Sequence, residues 1–249
     1  MTPANFRVVI PARLGSTRLP RKPLSLLNGK PMIAYTIENA IASFQRVYLA
    51  TDDWRIAEVG DAIGATVFMS KTAHDSGTER VAEVAEALGW PDDEIVVNLQ
   101  GDEPTMSPNN IVAVAHLLFG STHEMATLSV PLFRRAELID PNIVKVVRRQ
   151  DGRALYFSRA PITNFNADDT AVGGADRHIG IYAYRAGALR TLAKSPKTLL
   201  ELNERLEQLR AMHIGMEIMV ATAPDPVGPS VDILEDLFAA EKWLLENKR

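Results

Sequence analysis

The chain has no cysteine at all. This excludes disulfides, a thiolate nucleophile, cysteine-held iron–sulfur clusters and cysteine-based zinc sites, and it is compatible with a reducing compartment. Long apolar runs are missing as well. The N-terminal run Val8-Val9-Ile10 is far too short for the core of a signal peptide. The longest stretch free of Asp, Glu, Lys and Arg, residues 104–123, carries two prolines, two asparagines and two histidines. It reads as a soluble helix with flanking turns, not as a membrane span. The expectation is a cytoplasmic protein with no membrane insertion.

Several catalytic signatures are also absent. The five histidines (His74, His116, His123, His178 and His213) show no HExxH or other metal spacing, which disfavours zinc. There is no GxSxG elbow, no GxxxxGK[ST] phosphate loop and no GxGxxG dinucleotide fingerprint. A basic total is lacking too: 27 Lys and Arg against 31 Asp and Glu give a net charge of −4. With no recognised reader motif either, a nucleic-acid partner is not expected.

What is present is a globular chain of 249 residues, 46% hydrophobic, able to build a core without staples. Its first half alternates short β-rich runs with helical patterns: strands at 6–12, 47–50, 66–69 and 95–99, helices at 31–44, 53–63, 79–88 and 107–118. In the helix at 79–88, Arg80, Glu83 and Glu86 fall on the side away from the apolar stripe. Such alternation predicts an α/β fold with a mostly parallel central sheet flanked by helices. The loops after Ala12, Ala50 and Leu99 then share one rim, where open α/β sheets carry their ligands. After residue 120 the rhythm changes to strands at 125–132, 143–149, 154–158 and 179–185, an irregular segment at 160–177, helices at 187–193 and 199–213, a strand at 217–222 and a helix at 232–246. This predicts a smaller mixed β subregion over about 125–185 and a returning C-terminal helix, all within one unit spanning 1–249.

Four constellations carry chemistry. Residues 1–37 hold six basic residues and no acid. In the loop after the first strand, Arg13, Arg18, Arg21 and Lys22 stand with Gly15, Ser16 and Thr17, a composition suited to a polyanion or to a basic surface turn. Asp102, just beyond a buried strand and next to Gly101, can reach a Mg²⁺ that also touches phosphate, or cap a tight turn. Gln100 beside it offers both donor and acceptor. Asp232 is a second metal candidate, with an ordinary helix N-cap as its alternative. Asp75-Ser76-Gly77-Thr78-Glu79-Arg80 enters a helix and could hold a base or phosphate through backbone N–H groups, or simply cap. A basic and polar set comprises Ser158-Arg159, Arg177-His178, Glu207-Gln208 and Arg210.

The runs VVIPARLGSTRLPRKPL, NGKPMI, SGTER, VNLQGDEP, PNIVKVV, ALYFSR, RHIGIYAYR and LEQLR, in that order and across nearly the whole chain, resemble the 3-deoxy-manno-octulosonate (Kdo) cytidylyltransferases. The resemblance implies a nucleotidyltransferase-like fold and a Mg²⁺-dependent enzyme that joins CTP to Kdo, giving CMP-Kdo and pyrophosphate for lipopolysaccharide biosynthesis. It implies that Arg13 and Lys22 meet the phosphates, where Arg18 can add positive charge, that Ser76, Gly77 and Thr78 lie around the nucleotide, and that Asp102 and Asp232 hold Mg²⁺. Gln100, Arg159, His178, Tyr182, Glu207 and Gln208 match the acid-sugar pocket, and a homodimer is implied with part of the mixed sheet in the contact. Three departures stand out: Arg21 where the family usually has Gly, no basic residue at 163–166, and Val231-Asp232-Ile233-Leu234 where an early helical proline is usual. These leave amino-Kdo or sialic acid as alternative acceptors. A noncatalytic nucleotide- or sugar-binding regulator is the alternative of a different class.

Overall fold

The central strand β1 (Arg7–Ala12) explains the layering of the whole molecule. Its Val8, Val9 and Ile10 are fully buried and, as strand residues must, they point alternately to opposite faces. Val8 and Ile10 enter one core with Ile33, Ile37 and Ile111, while Val9 enters the other with Val81, Val84 and Leu189. Each such side chain contributes roughly 1.5–3 kcal/mol by leaving water. A sheet covered on both faces follows. The computed structural model describes residues 6–16, 18–71, 73–164 and 173–247.

From β1 the chain runs through helix α1 (Met32–Ile41), strand β4 (Val47–Thr51), helix α2 (Trp54–Ile63) and strand β5 (Thr66–Met69). Helix α3 (Gly77–Ala87) then carries it to strand β6 (Ile95–Asn98), on the other side of β1. Both β4 and β6 pair with β1 in parallel. The order of strands therefore reverses between β1 and β6, and a crevice opens at their carboxyl ends. Helix α4 (Pro108–His116), capped by Ser107 with Pro108 in its first turn, follows the loop after β6.

The later strands extend the same sheet. Strands β7 (Met125–Pro131), β10 (Asp176–Arg185) and β11 (Ile218–Thr222) give the order β11-β7-β10-β6-β1-β4-β5, and β8 (Lys145–Arg148) and β9 (Ala154–Ser158) branch from β10. Strand β10 is antiparallel to β6 and β7, while the other pairings on this path are parallel. The mostly parallel sheet, mixed subregion and C-terminal helix expected from the sequence are all present.

Several elements differ from expectation. A short hairpin, β2 (Leu26–Leu27) and β3 (Lys30–Pro31), turns on Asn28 and Gly29, both at positive φ (47° and 79°). Helix α5 (Arg135–Ile139) was not foreseen. Helix α6 (Ala186–Lys194) matches, but the single helix expected over 199–213 is two: α7 (Leu199–Glu204) and α8 (Gln208–His213). Leu199, Leu202, Leu206 and Leu209 keep a helical spacing that imitates one stripe. However, Arg205 is left-handed at φ 54° and breaks the helix, so that Leu206 and Leu209 are buried while Leu199 and Leu202 stay exposed. Helix α9 (Leu234–Glu246) begins two residues later than expected. Asp236 accepts from the backbone N–H groups of Asp232 (2.9 Å) and Ile233 (3.0 Å), so Asp232 does not serve as the cap. Within the irregular stretch at 160–177, residues 165–172 lie outside the described residues, and with them Phe165 and Asn166 of the second departure. No described helix is long and apolar enough to cross a membrane.

Candidate active site

The loop leaving β1 places its basic side chains over the crevice. Arg21 sits in the left-handed region (φ 56°, ψ 31°) immediately before a 3₁₀ turn over Lys22–Leu24. That turn sends the Arg21 side chain outward and Lys22 inward. Lys22 Nζ donates to Asp102 Oδ2 at 2.5 Å, Asp232 Oδ1 at 3.1 Å and the Val231 carbonyl at 3.0 Å. Burial acts to lower the Lys22 pKa, but Asp102 and then Asp232 outweigh it and raise it above 10.5. Arg18, largely exposed, reaches the same Asp232 oxygen at 3.2 Å.

Asp102 is held by close packing of its loop on β1. A Cβ at Gly101 would come within 3.0 Å of the Pro11 carbonyl oxygen, so glycine alone allows this approach. The Val231 N–H donates to the Asp102 carbonyl at 3.0 Å and joins the two acid-bearing loops. Two carboxylates from distant segments thus converge on one cation, here the Lys22 ammonium. Their hard oxygens suit Mg²⁺, which typically takes one or two carboxylates together with substrate phosphates and water. Among the described residues no group of three or more acids or histidines surrounds a point, so a metal here would rely on ligand oxygens for the remaining positions.

Helix α3 closes the basic half, a cleft of about 270 Å³ lined by Arg13, Arg18, Lys22, Ser76, Gly77 and Arg80 among others. Ser76 caps the helix, its Oγ accepting from the Glu79 N–H at 3.2 Å, and the remaining amino-terminal N–H groups favour an anion. Gly77 lies directly against Gln100: a Cβ there would meet Gln100 Oε1 at 2.9 Å. Gln100 Nε2 donates to Asn98 Oδ1 at 3.0 Å, which fixes the amide. Arg80, expected on the solvent side of α3, is buried instead. Its Nη2 donates to Asp52 at 2.7 Å, while Nη1 is buried with no hydrogen-bond partner. The pull of Asp52, on the loop after β4, turned it inward.

A second cleft of about 600 Å³ adjoins the first at Ser76, Gly77 and Gln100. His178, Tyr182, Glu207 and Gln208 all line it, as does Thr78, which the sequence reading grouped with the nucleotide. The Tyr182 hydroxyl and Gln208 Nε2 are buried without hydrogen-bond partners. Buried polar atoms rarely remain unpaired, so both fit a hydroxyl-rich ligand. His178 pairs through Nε2 with the Thr127 hydroxyl (3.1 Å) and lies edge-on to Phe157. Enclosure of its ring lowers its pKa to about 3, so it is neutral. Glu103 is pushed up to about 8 by burial and then by the neighbouring Asp102 charge.

Arg159 lines neither half. Its Nε donates to the Glu204 carbonyl and its Nη1 to the Pro141 carbonyl, each at 3.0 Å. It braces the chain beside Asn142 and Ile143, which do line the second cleft. Arg80 and Arg177 stand in the constellations that the sequence singles out but without an assigned role there, whereas Glu103 and Asp236 emerge as lining residues only in the fold. The clue for Arg177 was its place beside His178 in a strand whose register shifts between Ile179 and Tyr182, which lets successive residues face one cleft.

A switch-point crevice with a basic loop, a helix amino terminus and paired acids, opening into a polar cleft, has the layout of a nucleotide-using transferase. The chain belongs to the cytidylyltransferase family, whose model matches residues 7–218. It is 49% identical over 247 residues to the 3-deoxy-manno-octulosonate cytidylyltransferase of Thioalkalivibrio sulfidiphilus, covering 96% of this chain and 99% of that protein. Its identity to the enzyme of that name from Xanthomonas axonopodis pv. citri is 50% over 249 residues, covering 96% of each. Among solved structures it resembles CMP:2-keto-3-deoxy-manno-octonic acid synthetase complexed with CTP, with TM-score 0.88, 36% identity, and 98% and 99% of the two chains covered.

Proposed function

We propose that this chain transfers CMP from CTP to the anomeric hydroxyl of Kdo, releasing pyrophosphate. The single observation that carries this reading is the junction of two clefts, one basic and one lined by orphaned polar atoms, beside the Lys22–Asp102–Asp232 cluster. Transfer of a phosphorus group depends on positioning and charge compensation, and both are available here. Arg13, Arg18 and Lys22 neutralise the triphosphate as the helix amino terminus at Ser76 and Gly77 receives its oxygens. The unpaired Arg80 Nη1 offers a donor to the ring acceptors of the base. Tyr182, Glu207 and Gln208 take sugar hydroxyls, and Gln100 stands where the two substrates meet. The sugar hydroxyl attacks the α-phosphorus in line, the bond to the β-phosphate oxygen breaks, and the hydroxyl proton passes to water.

Asp102 and Asp232 would hold Mg²⁺, which supplies charge neutralisation at the phosphates and orientation of the attacking oxygen. Lys22, which here bridges these carboxylates, would then be available to the phosphate oxygens. The reading includes a cytoplasmic homodimer whose product feeds lipopolysaccharide assembly. In keeping with a second copy, Phe133, Leu155 and Leu199 are 75%, 50% and 80% exposed.

The test is pyrophosphate release from each of the four nucleoside triphosphates with Kdo, with and without Mg²⁺, followed by sialic acid and amino-Kdo with CTP. Release with CTP and Kdo that needs Mg²⁺ is expected. Binding of CTP without release would favour a regulator instead, and a preference for another acid sugar would reassign the acceptor.

A further inference from the structure

The acceptor half of the cleft is acidic apart from one side chain. Of its charged lining residues among those described, Glu103, Glu207 and Asp236 are acids, and Arg177 is the lone Lys or Arg. No hydrogen bond or ion pair engages the Arg177 guanidinium among the described residues. Nearby cations are all committed. Lys145, the register partner of Arg177 on β8, donates to the carbonyls of Asp140, Ile143 and Arg159. Arg159 is held by two carbonyls, and Arg210 is paired with Glu201 and Glu207. Arg148 engages Asp176, the residue next to Arg177 in the chain, at 3.1 Å.

We infer that Arg177 receives the carboxylate of the acid sugar and sets the preference for acidic over neutral acceptors. This rests on the acid-sugar reading of the second cleft. Burial keeps Glu103 largely neutral near pH 7, so a carboxylate entering this cleft faces the charges of Glu207 and Asp236 and a single opposing charge, this guanidinium, whose planar fork matches it bidentately. Half-burial strengthens the pairing, since partial removal of water raises the value of each charged hydrogen bond. The absence of a basic residue at 163–166 leaves the role to β10.

The experiment compares wild type with Arg177→Gln and Arg177→Lys in pyrophosphate release from CTP and Kdo, with the C1 carboxamide of Kdo measured as a competitive inhibitor. Loss of a charge-assisted pair predicts a rise of about 10–100-fold in the KM for Kdo in Arg177→Gln. The KM for CTP and the Ki of the uncharged carboxamide should stay at wild-type values, and Arg177→Lys should fall between. An unchanged KM for Kdo, or an equal weakening of Kdo and carboxamide, overturns the role of Arg177 while leaving the transferase reading intact. A wild type that releases no pyrophosphate with Kdo overturns both.

Discussion

Lys22 and Asp102 stand 80 residues apart in the chain, and their charged atoms meet at 2.5 Å. The same ammonium touches Asp232, so one cation bridges the two carboxylates that would hold a divalent ion on the proposed reading. Asp102→Asn should therefore lower turnover at least ~100-fold, the scale for removing one transition-state electrostatic group. Asp232→Asn should act similarly, because Asp236 caps the helix in its place. Turnover across a Mg²⁺ titration, read beside a melting curve, checks this. Near-parental turnover in Asp102→Asn would remove it from the metal site.

Lys22→Ala should raise the KM for CTP and leave that for Kdo nearly unchanged, as Lys22 lines only the basic half. It also leaves Asp102 and Asp232 facing one another without their shared cation. The variant should thus be less stable without Mg²⁺ and recover when Mg²⁺ is added. Thermal denaturation at several Mg²⁺ concentrations reads both effects, and a melting temperature insensitive to the metal would sink the idea.

Arg21 occupies a left-handed conformation that costs an L-residue roughly 1–2 kcal/mol, and its exposed side chain lines neither cleft. Arg21→Gly should therefore stabilise the protein by up to ~1 kcal/mol, the greater freedom of glycine when unfolded offsetting part of the relief. In a chain of this length that is about 2–4 °C in Tm. Activity should change less than ~10-fold, well short of the loss of a transition-state contact. A drop in Tm would mean that the guanidinium has a partner.

Arg159→Lys keeps the charge but loses the fork that reaches Glu204 and Pro141. A loss of about 1–2 kcal/mol is expected from two broken hydrogen bonds, together with a higher KM for Kdo as the wall at Asn142 and Ile143 shifts. Denaturant unfolding and separate titrations of CTP and Kdo test the link. A raised KM for Kdo at unchanged stability would instead indicate direct contact with the sugar.

His178 has its pKa lowered by burial from 6.5 to about 3. Between these values the unfolded chain binds a proton that the folded one refuses, so stability is full above 6.5 and is lost as pH falls toward 3. His178→Gln should remove that part of the acid slope. Between pH 6.5 and 4, the wild-type Tm should fall by roughly 6–12 °C more than that of the variant, the equivalent of about 3 kcal/mol. Parallel slopes would show that the ring does not carry it.

The first half of the fold was legible because it follows local rules. Val8, Val9 and Ile10 announce a doubly buried strand, Ser107 and Pro108 announce a helix start, and βα alternation places Arg13, Lys22 and Asp102 on one rim. The second half depends on distant partners. Leu199, Leu202, Leu206 and Leu209 keep perfect helical spacing, yet a left-handed Arg205 turns the chain so that Glu207 and Gln208 reach the cleft. Arg80 looks like a solvent residue until Asp52 claims it from the loop after β4. The sequence favours Arg159, through its resemblance, over Arg177, and their surroundings in the fold reverse that order.

The reversed direction of β10 has one more consequence. The basic cleft is lined mainly by residues from 11–102, whereas the second cleft takes Arg177, His178 and Tyr182 from that antiparallel strand and Glu207 and Gln208 from the chain that follows it. On the proposed reading, nucleotide and acceptor are recognised by largely separate blocks of the chain that meet at Ser76, Gly77 and Gln100. Acceptor choice can therefore drift, or be exchanged by grafting the later block from a relative, while the triphosphate loops keep their sequence.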